Sequence, residues 1–307
     1  MARPAWGIGW WRGLSASVLM AVAAPQAHAE WLNLCDRPLD LSAVQQDRLF
    51  RFAGLIKEAL NRSGGEVALV ARSGLDLDRF GIRYSHTGIA LARHDTAPWA
   101  VRQLYYDCTE RQPRLFDQGM SGFLLGLRDA ERGHVSVLIL PSPAGQAVAR
   151  AALDAHQAAQ VLGSRYSANA HAFSDRYQNC NQWVAELLAL AWGAPADVRW
   201  TRAQAQDWLQ TQGYEPTRVD VGSRWVMWAG ALLPFIHTDD HPEADVAARQ
   251  LRVSLPAAIE AFAHQQVPGV RRIEFCHAGA RAVIHEGWTP VSDACEPGEG
   301  DRVVALD

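Results

Sequence analysis

The chain has 307 residues, a formal net charge of −4 and 49% hydrophobic residues. That length supports one large domain or two small ones, with ample core. A slightly acidic chain whose only lysine is Lys57 has no electrostatic footprint for nucleic acid, which excludes that class of partner.

In chain order, the first feature is an export signal. Arg3 and Arg12 give a positive start, Leu14 to Ala24 is apolar, and Ala27-His28-Ala29 is a small-x-small cleavage pattern. The pattern predicts a signal peptide over 1–29, removal before Glu30, and a periplasmic or otherwise exported protein. An uncut anchor is the competing reading. The apolar run falls short of the roughly 20 residues that span a bilayer, and no later segment is apolar enough, so no transmembrane segment is expected after cleavage.

Spacing and end signals set the next elements. Ser42 caps a helix to about Asn61, with Leu49, Phe52, Leu55, Ile56 and Leu60 on one stripe. Strands are expected at Val67–Ala71, Arg83–Ala92 and Trp99–Tyr106, the last two as a hairpin turning near residue 95. A helix is expected over Phe116–Leu127, a strand over Val135–Leu140, and one long helix from Pro143 to about Leu162. Cys180–Trp192 reads as the clearest helix, capped by Asn179 and stopped by Gly193. Thr201 caps another to Gln212. Past Gly213 a helix over Pro256–His264 and strands over Arg272–Cys276 and Arg281–His285 follow. The mixture points to an α+β fold, with a main domain over 30–213 and a C-terminal subdomain or extension over 214–307.

Five cysteines in an exported chain favour pairing and leave one over. Cys276 with Cys295 and Cys35 with Cys108 is the expected pairing, one of three connectivities for those four. Cys180 then stays a thiol.

Cys180 lies in the first turn of its helix, where the positive end of the helix dipole stabilises a thiolate. An inert buried cysteine is the competing reading. His86 lies in Ser85-His86-Thr87-Gly88-Ile89-Ala90, sharing a strand face with the small residues Gly88 and Ala90. An imidazole beside a thiol can move its proton; a strand histidine bonded to a backbone group is the alternative. The hairpin register sets His86 opposite residues 103–105, so Gln103 is the preferred group to orient the ring and Tyr105 the second. His237, Asp239, Asp240 and His241 have metal-ligand chemistry but read as a solvated loop before Pro242. No metal and no cofactor is expected.

Those motifs resemble known proteins. A histidine in Ser-His-Thr-Gly-Ile-Ala, followed much later by a cysteine in Asn-Cys-Asn-Gln-Trp-Val, is similar to the circularly permuted papain-like (NlpC/P60) superfamily. More closely, Cys35-Asp36-Arg37, Arg72-Ser73-Gly74-Leu75-Asp76-Leu77, Ser85-His86-Thr87-Gly88 and Arg176-Tyr177-Gln178-Asn179-Cys180-Asn181 resemble the DUF2145 family of exported bacterial proteins. The resemblance covers roughly residues 32–240. It implies a permuted papain-like core, antiparallel strands packed on a Cys-bearing helix, with Cys180 as nucleophile and His86 as base. It also implies His or Glu at the third polar position, where this chain has Gln103. The expected function is a cysteine hydrolase or acyl transferase acting on an amide, ester or thioester, with cell-wall peptide or a lipid acyl group as substrate classes. A non-catalytic exported binding or assembly module on the same fold is the alternative.

Overall fold

The computed structural model describes residues 41–195 and 198–307. Its first helix, α1 (Ala43–Arg62), starts at a reciprocal cap: Gln45 N–H donates to Ser42 Oγ and Ser42 N–H to Gln45 Oε1. β1 (Val67–Arg72) is buried throughout. β2 (His86–Leu91) and β3 (Ala100–Asp107) form the expected hairpin. The strand expected from Arg83 begins only at His86, after the irregular Arg83–Ser85 segment.

Two expected helices are corrected. Residues 116–118 belong to a strand, β4 (Gln112–Gln118), and only α2 (Met120–Leu124) is helical. The reason is local. Asp107 Oδ1 accepts from Thr109 N–H and Glu110 N–H, which reverses the chain and lays β4 along β3 in register. The long helix after Pro143 is two helices, α3 (Ala144–Leu153) and α4 (Ala155–Gln160). Asp154 is extended at ψ 110°, and its side chain caps α4 by accepting from His156 and Gln157 N–H. An aspartate that competes for backbone N–H groups breaks the alanine run.

β5 (Arg132–Ile139) lies beside β1. α5 (Cys180–Gly193) and α6 (Arg202–Thr211) follow as expected, each with its cap residue in place. Then come β6 (Thr217–Asp220), α7 (Arg224–Gly230), α8 (Glu243–Ala248), β7 (Gln250–Val253) and α9 (Pro256–Gln266). β8 (Arg271–Ala278), β9 (Arg281–Glu286) and β10 (Arg302–Ala305) complete the chain. The large sheet runs β10-β9-β8-β5-β1-β2-β3-β4, every pair antiparallel, while β6 and β7 form a separate ribbon. The α+β assignment therefore holds. The region after residue 214, expected as a subdomain or extension, gives three of its strands to the main sheet.

Alternation along the strands builds two cores. Leu69, Ile89, Leu91 and Leu138 face Trp183 and Leu187 of α5. Val70, Ala90, Val101 and Val137 face Phe52 and Ile56 of α1 and Phe123 of α2. No helix among the described residues is long and apolar enough to cross a membrane.

Cys276 and Cys295 form a disulfide, as expected, over a sequence separation of 19. The expected Cys35–Cys108 pair lies outside the described residues, because Cys35 does. Peptide mapping without reductant should return the 276–295 link. Replacing both cysteines by serine should lower the unfolding free energy by about 3 kcal/mol, the loop-closure value for such a spacing, as read from urea melts.

Candidate active site

The start of α5 is held by its own polar residues. Asn179 Oδ1 accepts from Gln182 N–H at 2.7 Å, while Asn179 Nδ2 donates to Ala168 O and Ser254 O. Asn181 Nδ2 donates to Ser85 O at 3.0 Å. Gln182 Nε2 donates to Ser174 O at 3.1 Å. Gln178 takes Gly163 N–H at 2.7 Å and gives Val161 O a bond at 2.8 Å. All four amides are buried, where an unmade bond is costly, so each fixes a neighbouring loop. Between them sits Cys180, a buried thiol.

Beneath this turn is a buried carboxylate. Glu186, one and a half turns along α5, takes Arg202 Nε at 2.8 Å and Arg202 Nη2 at 3.0 Å, with Gln178 Nε2 and Gln206 Nε2 both at 2.6 Å. Burial pushes its carboxyl upward, and Arg202 chiefly pulls it back. The same guanidinium donates to Asp175 O and Tyr177 O. One ion pair thus ties the segment entering the cysteine helix to α5 and α6.

His86 and Gln103 are brought together: His86 Nε2 lies 2.8 Å from Gln103 Oε1, and Gln103 Nε2 donates to Gln118 Oε1 at 2.8 Å. The outer amide thus presents the oxygen of Gln103 to the ring. Nε2 carries the proton, which leaves Nδ1 as the basic nitrogen. Tyr105 stacks on the imidazole, centroids 5.1 Å apart, and Phe123 packs at 6.0 Å. Arg72, paired with His86 across β1 and β2, donates from Nη2 to Tyr105 Oη at 2.7 Å and lies over Phe123. A Cβ on Gly126 would come within 1.1 Å of Arg72 Nη1, so only glycine admits this guanidinium. Gly88 likewise lets β3 approach, since a Cβ there would meet Val101 Cγ1 at 2.4 Å.

Burial, then the Arg72 charge, hold the His86 pKa down to about 3, against a smaller opposing pull from the Gln103 bond. The ring is neutral at physiological pH, so the site is not built around a resting imidazolium.

Cys180 and His86 each have packing partners of their own. Cys180 belongs to the core beneath α5, with Ile89 and Leu104. The His86 ring contacts Phe123 on the α2 side. The Asn181–Ser85 bond brings the first turn of α5 to the residue before His86. The β2–β3 ladder runs only over Ile89–Leu91, leaving the strands unladdered beside His86. Sequence reasoning singled out Cys180, His86, Gln103 and Tyr105. It passed over Gln118 and took Arg72 only as part of a motif; an arginine closing an apolar strand was the available signal.

The His237–His241 segment braces the loop ahead of α5. His237 stacks on Tyr177 at 4.4 Å, Asp239 pairs with Arg176, Asp240 accepts from His171 N–H, and His241 Nε2 bonds Asn169 O.

One family profile, described as an uncharacterized protein conserved in bacteria (DUF2145), matches residues 59–263. The chain belongs to the DUF2145 family. No curated protein and no solved structure matches it. The DUF2145 span contains Arg72, His86, Gln103, Gly126, Cys180, Glu186 and Arg202, so both the ring environment and the ion pair beneath the thiol fall inside it.

Two outcomes follow from this geometry. Glu186→Ala leaves Arg202 buried and uncompensated, and should cost about 3–5 kcal/mol in urea unfolding. For His86, the unfolded chain protonates near 6.5 while the folded state holds the ring neutral to about 3. The unfolded state therefore binds more protons between those values, and stability falls as pH drops from about 6.5 toward 3. His86→Phe should flatten that acid slope. His171 and His277, both held down to about 4 by burial first, keep it from vanishing.

Proposed function

We propose that the chain is an exported cysteine hydrolase or acyl transferase on a permuted papain-like core, using Cys180 as nucleophile, His86 as base and Gln103 as the orienting residue. The observation that carries this reading is the His86–Gln103–Gln118 chain, which leaves Nδ1 basic, beside a helix start that carries a thiol.

In the proposed reaction Cys180 Sγ attacks the carbonyl carbon of an amide, ester or thioester. The thiol proton passes to His86 Nδ1 as the sulfur–carbon bond forms. The Cys180 N–H, at a helix start where N–H groups lack intrahelical acceptors, faces the developing oxyanion. Collapse breaks the bond to the leaving group, which departs with the proton from Nδ1. Water, or an acceptor hydroxyl or amine, then gives its proton to Nδ1 and attacks the thioester, releasing product and restoring the thiol. Because His86 rests neutral, the proton moves during attack and no ion pair is stored. Cell-wall peptide and lipid acyl groups are the substrate classes this chemistry accommodates.

The alternative, a non-catalytic module, draws support from the packing of the His86 ring on the α2 side. Alkylation of Cys180 by iodoacetamide under native conditions separates the two. A general-base site gives a rate that rises with pH and lacks the acid plateau of a stored ion pair. Gln103→Leu should slow it about tenfold through a misaligned ring, while Gln103→His or Gln103→Glu should keep or raise it. Labelling that appears only with global unfolding, or equal rates in all four versions and in His86→Ala, would remove the catalytic reading.

A further inference from the structure

A cavity of about 730 Å³ opens on the α9 side of the sheet, at the end where β1, β2 and β5 meet their loops. Its size is that of a pocket for a small organic ligand. Two lining residues tie it to the cysteine helix: Tyr84 adjoins Ser85, and Leu255 adjoins Ser254. Ser85 and Ser254 are the carbonyls that Asn181 and Asn179 hold.

The charges lining it are three arginines and three aspartates. Two of each are already joined. Arg83 Nη2 meets Asp293 Oδ1 at 2.5 Å, and its Nη1 meets Glu274 at 2.7 Å. Arg128 meets Asp78 at 2.8 Å and Asp76 at 2.7 Å. Arg132 and Asp129 enter no ion pair among the described residues. Asp129 commits one oxygen, Oδ1, to the N–H of Glu131 at 2.8 Å. The cavity therefore presents one uncommitted guanidinium and one carboxylate with an open oxygen, three residues apart in sequence. Leu75, Ile82, Leu255 and Pro290 add apolar lining.

We propose that this cavity binds a small zwitterion of short-peptide size, its carboxylate on Arg132 and its ammonium on Asp129, with the neutral body against the apolar lining. A guanidinium recognises a carboxylate in a planar, paired geometry. A ligand of one sign would leave the other wall charge unanswered. A fully apolar ligand would answer neither. The volume favours a short peptide with free termini over a single amino acid. The proposal needs no chemistry at Cys180 and stands apart from the hydrolase reading.

The test is calorimetric titration of the full chain carrying Cys180→Ala with tri-alanine, and with the same peptide acetylated and amidated at its ends. Saturable binding of tri-alanine is expected, at least about tenfold weaker for the blocked peptide. Arg132→Gln and Asp129→Asn should each weaken tri-alanine about tenfold. Both side chains are exposed, so circular dichroism should be unchanged. Arg51→Gln, remote on α1, should bind as the parent does. Absence of binding by tri-alanine, equal binding of the two peptides, or unchanged affinity in both cavity variants would overturn the proposal. Because catalysis is removed throughout, failure here leaves the thiol chemistry to its own experiment.

Discussion

The site depends on one buried ion pair. Glu186 is fully enclosed, and a carboxylate in that position survives only with its lone pairs answered. Arg202 and the amides of Gln178 and Gln206 answer them. Arg202 also holds the carbonyls of Asp175 and Tyr177, so the chain enters α5 along a fixed path. The cap at Asn179 and the reach of Asn181 to Ser85 then follow from where that path ends. An apolar replacement of the pair could stabilise the core as well, yet it would leave the peptide before Cys180 untied. The pair's value lies in position rather than in net energy.

Electrostatics around His86 differ from those of a site with a stored charge. Arg72 sits across the ladder and over Phe123, and Tyr105 covers the ring. A cation so close penalises an imidazolium and favours an anion on the neighbouring group. An amide in place of a carboxylate at Gln103 is consistent with this balance. A carboxylate there would offset part of the Arg72 charge felt by the ring, whereas the amide orients Nε2 without adding charge.

The sequence made much of this legible, for physical reasons that can be stated. The caps at Ser42, Asn179 and Thr201 are local chemistry, and each begins a helix as read. The β2–β3 register follows from one turn, which is why the sequence alone sets Gln103 beside His86. What failed was also local. Asp107 and Asp154 each redirected the backbone through a side-chain bond that competes with the periodic pattern. Arg72, Gln118 and the Glu186–Arg202 pair were not legible as a set, because their partners lie on other elements. Which side of the sheet a ring packs against is settled by the helices that cover it, and periodicity does not number those.

The motif stretches that mark the chain converge for structural reasons as well as chemical ones. Ser85 Oγ accepts from the N–H groups of Gly74 and Leu75, so the loop after β1 is fastened to the residue that precedes His86. Gly126 opens the space that Arg72 occupies. Asn181 closes the circle by bonding the carbonyl of Ser85. Every one of these contacts would be required by a binding module and by an enzyme alike, since each orders backbone. The groups that such a module would not need are few: the unladdered end of β2, the basic Nδ1 of His86, and a thiol at the start of α5. The proposed chemistry therefore rests on two atoms, the Cys180 sulfur and His86 Nδ1, while the amides and the ion pair around them act by ordering backbone.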